Sequence, residues 1–336
     1  MVDPDATVRL ERPGQAAPAP PPPAAPAGRR PPVALVAAAG LLLLIAGVGA
    51  GAWFWLESGP SEPPAKPDTV AIAPPPAPIV RPVPGVPPTL PGPILASEDA
   101  IRGHRATEPT LFRLAENPRV FVADFPGLDL QASALNRVAA LVEKAGAPRD
   151  RVLTDAELAT AITRSGETPA TYYYGHNYRG RDLERFFALA ARDRVALTAE
   201  EEWLRRQVLH IRSLVPAEAE FAFVSVPGIE GRVDESMRQA ILHHELGHGH
   251  FFTNPAFAAH VARVWREVFT EGERARFRAF LAREGYDPAL EEVMMNEAMA
   301  YLVFTPDPRF FSPAHAGLED ARAEVLRAAL RAGAPL

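Results

Sequence analysis

The most uniform stretch of the chain is 33–56, 24 residues without a charged or strongly polar side chain. As a helix it would cover about 36 Å at roughly 1.5 Å per residue, enough for a hydrocarbon core of about 30 Å. Trp53 and Trp55 stand at its far end, where amphipathic rings favour the interface. Arg29 and Arg30 precede the run and Glu57 follows it, an asymmetry that predicts a cytoplasmic N-terminus and a single pass outward. A rival reading is a cleaved leader with Ala50-Gly51-Ala52 as its small-residue site, although the run exceeds the usual apolar core of about 7–15 residues. Either way the bulk of the protein is expected in the periplasm or outside the cell.

On either side of that run the apolar pattern disappears. Residues 1–32, rich in alanine and proline, read as a disordered cytoplasmic tail in which Thr7 is a lone candidate for phosphorylation. Residues 57–94 hold 14 prolines between positions 59 and 93 and read as a proline-rich linker. In polyproline II, at about 3.1 Å per residue, it could hold a domain up to about 100 Å from the membrane.

From 95 to 336 the pattern is that of a folded domain. VFVAD (120–124) and FAFVSV (221–226) read as strands. Apolar residues at helical spacing predict helices over 130–145, 155–162, 181–192 and 199–214, the last capped by Thr198. After the second strand the chain reads as helix throughout: 236–252, 255–269, 271–284, 288–304 and 317–332. The expected fold class is therefore α+β and helix-rich, with a small sheet. TYYYGHNYRG (171–180) reads as an ordered, ring-rich loop able to line a cleft.

Composition narrows the chemistry. A net charge of −6 and no basic stripe argue against a nucleic-acid partner. The chain has no cysteine, which excludes a disulfide framework, a thiol nucleophile and thiolate metal sites. Four of the nine histidines fall within ILHHELGHGHFF. Inside it, His244-Glu245-Leu246-Gly247-His248 forms an HExxH pattern. On a helix, positions i and i+4 share a face, so both imidazoles can reach one Zn²⁺, and Glu245 projects beside it as a proton acceptor for water. Ser236 and Gln239 read as a capping box that starts this helix. Gly247 and Gly249 cost about 1 kcal/mol each in a helix interior, which implies close packing or substrate approach.

A catalytic zinc needs a third protein ligand and an open position. The extended HExxHxxGxxH form is absent, since Phe251 and Asn254 occupy its Gly and His offsets. Glu297 is the one charge on a stripe of Leu290, Val293, Met294, Tyr301 and Phe304, on a helix that Asp287 and Pro288 would start. A carboxylate facing a core is costly unless it is paired or binds a metal, so Glu297 is either a ligand or the partner of an arginine. Glu291 and Glu292 read as solvated, and His260 and His315 stand next in line should Glu297 fail. His243 and His250 flank the motif and read as outward-facing or as helping to orient the site.

His244, Glu245 and His248, followed by Glu297 within NEAMAYL, resemble the gluzincin class of zinc peptidases. The segments HHELGHGHFFTNP and MMNEAMAYL are also similar to those of a family of bacterial membrane-anchored proteins. The resemblance covers residues 236–304 and implies a zincin-like catalytic domain. In it His244, His248 and Glu297 ligate Zn²⁺ and Glu245 is the general base. It also implies an oxyanion-stabilising Tyr, His or Arg, for which Tyr301 and His176 are candidates. The expected function is a membrane-anchored zinc metallopeptidase acting on envelope peptides or proteins. Two rivals remain: a non-catalytic envelope binding or scaffold module, and a zinc hydrolase acting on something other than peptides.

Overall fold

The computed structural model describes residues 91–335. The tail with Thr7, the apolar run 33–56 and the linker up to residue 90 lie outside the described residues. Among the described residues, no helix is long and apolar enough to cross a membrane.

The fold is helix-rich α+β around one mixed sheet of five strands. The chain opens with β1 (Ile94–Ala96) and α1 (Glu98–Gly103), then β2 (Thr110–Leu114) and β3 (Val120–Phe125). Next come α2 (Leu128–Val142), α3 (Asp155–Arg164), β4 (His176–Arg179), α4 (Gly180–Asp193), α5 (Ala199–Leu214) and β5 (Ala222–Pro227). Five helices finish it: α6 (Glu235–Thr253), α7 (Pro255–Glu267), α8 (Glu271–Arg283), α9 (Glu291–Phe304) and α10 (Asp320–Arg331). The strand order is β1-β2-β3-β5-β4, parallel at β1–β2 and β3–β5 and antiparallel at β2–β3 and β4–β5.

Both faces of the sheet are covered, so its central strands are apolar on both sides rather than alternating. Val122, Val224 and Val226 pack with α6 and α9, whereas Phe121, Phe125 and Phe223 pack with α2, α4 and α5. Register carries this into β4. His176 and Tyr178 pair with Ser225 and Phe223, and Asn177 pairs with Val224. Because side chains alternate across a strand, Asn177 faces α6 while His176 and Tyr178 face away from it.

Local signals account for most helix starts. Thr198 caps α5 by accepting from Glu201 N, and Glu201 returns to Thr198 N at 2.9 Å, closing a capping box. Two expected starts are corrected. α6 is capped by Asp234, whose carboxylate accepts from Met237 N at 2.7 Å, so Ser236 already lies inside the helix. Asp287 accepts from Ala289 N in a turn of its own, and α9 begins only at Glu291. Nor does α9 carry a single apolar stripe: it is buried from Asn296 through Phe304, an interior helix with Glu297 inside it.

Candidate metal centre

α6 lies between the sheet and α9, and its two interior glycines make that possible. A Cβ on Gly247 would stand 2.7 Å from the Phe304 ring of α9, and one on Gly249 would stand 2.9 Å from Val120 of β3. Close packing on both sides explains these glycines without any substrate.

At this crossing His244 and His248 of α6 meet Glu297 of α9, all three fully buried. The two imidazole Nε2 atoms are 3.0 Å apart. Glu297 Oε2 is 3.8 Å from His244 Nε2, and Oε1 is 3.6 Å from His248 Nε2. Ligands about 2.0–2.2 Å from one tetrahedral ion stand roughly 3.3–3.5 Å apart, so the three donors are spaced to share a cation. Neither Glu297 oxygen meets a donor in good hydrogen-bond geometry, and Tyr286 alone lies near enough to favour the ionised form. A buried carboxylate in that position is costly unless something positive joins it.

The histidine tautomer follows from its neighbour. Thr305, just past the end of α9, donates its hydroxyl hydrogen to Ala300 O at 3.1 Å. Its oxygen therefore accepts from His244 Nδ1–H at 2.6 Å, which leaves Nε2 with a bare lone pair turned toward the other donors. Burial holds His244 well below its usual pKa, helped by His248 and His243, and brings His248 down to about 3. Both rings are thus neutral, the form that binds metal.

Glu245 is seated by β4 and the residues before it. Asn177 Nδ2 donates to Glu245 Oε2 at 2.9 Å, and Oε1 has no hydrogen-bond partner. The carboxylate lies so close to the chain at Gly175 that a Cβ there would stand 2.2 Å from Oε1. Burial pushes Glu245 well above the usual carboxylate range, with the Asn177 bond pulling the other way. Glu297 is raised by burial and then by the negative charges of Glu245 and Glu143, while Tyr286 favours its ionised form. A buried carboxylate raised by two others beside it needs a cation nearby if it is to be charged.

The two candidate oxyanion residues separate. Tyr301 lies at the site, its ring edge-on to His244 with centroids 5.0 Å apart. His176 lies on the far face of the sheet, bonded to Ser225 Oγ at 3.0 Å and packed at a tilt between Tyr173 and Tyr178, which removes it from the centre. His260 bonds Ala329 O and His315 packs on Phe280, so neither reserve ligand is needed. His243 pairs with Glu98 and His250 with Asn117, which occupies both away from the donor group. Glu292 is not solvated as expected but forms a largely buried ion pair with Arg179. Gly175, Asn177, Tyr286 and Thr305 were missed. The first two lie in the ring-rich segment that reads as able to line a cleft.

No family model matches this chain, and no curated protein or solved structure matches it either.

Proposed function

We propose that the domain is a zinc-dependent hydrolase, and specifically a peptidase of zincin-like architecture, tethered outside the cytoplasm by residues 33–56. The observation that carries this reading is the convergence of His244, His248 and Glu297 beside a carboxylate with one oxygen left over, Glu245. A purely structural ion needs ligands and no such neighbour. Zinc held by the three donors supplies Lewis-acid activation of water and of a carbonyl.

The chain's own residues do the rest. Thr305 and the packing of α6 on α9 hold the imidazoles in the lone-pair orientation. Asn177 holds one Glu245 oxygen, so the other is directed to accept a proton from the attacking water and return it to the leaving amine. The raised affinity of buried Glu245 for a proton suits that exchange. Its substrates are peptides or proteins of the cell envelope, reached at the end of the proline-rich linker.

Glu245→Gln in the full chain tests the reading. Zinc content by mass spectrometry should stay near one per chain, while cleavage of a peptide library falls by about 10²–10⁴, the usual contribution of a general base. Activity retained in the variant would remove Glu245 from that role. One observation favours a second reading: all four residues are 0% exposed. That burial also suits a metal-stabilised binding module, and a wild type that binds zinc but cleaves nothing in the library would support it. Reporters fused to the C-terminus test the anchor, and activity of a cytoplasm-only reporter would overturn the topology.

A further inference from the structure

Asn177 and Arg179 share one face of β4, an outermost strand of the sheet. Their register partners Val224 and Ala222 both belong to the core on the α6 side, so both side chains point that way. Asn177 holds Glu245, and Arg179, two residues on, reaches Glu292 in the first turn of α9, Nη2 to Oε1 at 2.5 Å. Along α9, Glu292 precedes the donor Glu297 by about 7.5 Å. The ion pair therefore joins the strand that seats Glu245 to the helix that supplies Glu297. It does so beside the metal group: the Arg179 guanidinium lies 4.4 Å over the Phe252 ring, and Phe252 stacks on His248 with centroids 6.3 Å apart.

His244, Glu245, His248 and Glu297 are fully buried, so a ligand reaches them only where the wall opens. The ion pair is part of that wall and touches the surface, with 7% of the Arg179 side chain and 16% of Glu292 exposed. Anything that enters beside His248 at this point has to part the two residues. Parting them with nothing in exchange strands a poorly solvated charge, which is strongly unfavourable. A carboxylate that arrives with the ligand removes the penalty at the arginine, and Glu292, the more exposed of the two, is left nearest to water. A guanidinium has five N–H donors in a planar fork, so Arg179 can keep its other contacts while it exchanges this one.

We infer that Arg179 is a carboxylate-binding site at the edge of the metal centre. Glu292 fills it as an internal stand-in until a peptide carboxylate, from a C-terminus or from an acidic side chain, takes its place. That this ligand is a substrate rests on the hydrolase reading above; the carboxylate site does not. With a net charge of −6 the chain has no general attraction for acidic peptides, so a preference for them requires a local cation.

Binding is measured on the full chain carrying Glu245→Gln, so that peptides are not turned over. Zinc content by mass spectrometry comes first; its absence would overturn the zinc reading alone, because the carboxylate site is read from peptide retention. Three pools of acetylated random hexapeptides are passed over the immobilised protein. One lacks Asp and Glu and has a free C-terminus, the second is the same pool amidated, and the third is amidated but contains Glu. A carboxylate-bearing pool should be retained about tenfold better than the plain amides, the order of effect of one charge-assisted hydrogen bond. Preference for the first pool identifies a C-terminus, and preference for the third an acidic side chain. Equal retention of all three, or retention of none, would overturn the site.

Adding Glu292→Gln removes the internal rival and should raise retention of the favoured pool by a further factor of about ten. Unchanged or weaker retention would overturn the exchange. Arg179→Gln together with Glu292→Gln removes the pair whole, without stranding Glu292, and should erase the preference while circular dichroism stays the same. A preference that survives this double change would place the carboxylate elsewhere. A purely structural ion pair would alter stability in these variants but not the ratio between pools.

Discussion

Thr305 and Gly175 act on the centre without carrying its chemistry, and each leads to a distinct expectation. Thr305→Val keeps the shape but cannot accept from His244 Nδ1, so the imidazole loses its fixed orientation. Zinc affinity should fall about 10–100-fold, the usual effect of losing such a partner, with the fold intact by circular dichroism. Gly175→Ala would instead drive a methyl group against Glu245 Oε1 and Ile241. Zinc content should stay and turnover should fall, and an unchanged kcat would mean that the seat of Glu245 is looser than the structure indicates. At this scale the sequence was legible where chemistry follows helical spacing. His244 and His248 follow from i and i+4 geometry and Glu245 from its place beside the first, while the cost of a charge among apolar neighbours marks Glu297 as a ligand or the partner of an arginine. Thr305 left no mark of that kind, because its role depends on where α6 passes in space. Asn177 gave only its place in a ring-rich segment, since facing α6 rather than the opposite side is decided by register with β5.

Among the elements, α6 shows two local preferences in conflict. Alanine at 247 would relieve a helix of about 1 kcal/mol of glycine penalty. The contact with Phe304 opposes it, and overpacking of this kind costs about 1–3 kcal/mol. Gly247→Ala should therefore lower stability in urea titrations, and Phe304→Leu in the same background should recover part of the loss. Equal stability of wild type and Gly247→Ala would show that α9 can move aside. Helices with a capping box, α3, α5 and α8, had starts legible to the residue because cap and pattern agree. The starts of α6 and α9 were not. Ser236 and Asp287 carry the right chemistry, but Asp234 stands two residues earlier, and Asp287 spends its carboxylate on a separate turn. β4 read as a loop because four residues between aromatic packing and a glycine show no clear alternation; only pairing with β5 makes them a strand.

Over the whole molecule, ion pairs fasten the peripheral helices to the core. Arg322 of α10 pairs with Glu273 of α8 at 2.7 Å and holds that carboxyl down to about 2. A folded pKa below the unfolded value means stability that is fully present above about pH 5 and lost as pH falls toward 2. The stability gap between wild type and Glu273→Gln should thus be widest near neutrality and close between pH 5 and 2. A gap independent of pH would assign the loss to packing instead. The helix-rich α+β class was legible because the apolar pattern is dense after residue 220. The five-stranded sheet was not, since β1 and β2 are short and their pairing joins segments that no local signal connects.

The donors of the metal group come from two helices, with 48 residues between His248 and Glu297. An ion held there would act as a reversible cross-link that closes a long loop through α7 and α8 and would offset the negative charge around Glu297. Loss of the ion would free α9 from α6 and leave buried charge behind, so the empty protein should open more often and be cut more readily by proteases. Each tenfold rise in free zinc above the dissociation constant adds about 1.4 kcal/mol to the folded state. The melting temperature should climb with zinc concentration in wild type and stay flat in Glu297→Ala. With the proposed zinc bound, the lifetime of this chain in a cell would then report the supply of that ion.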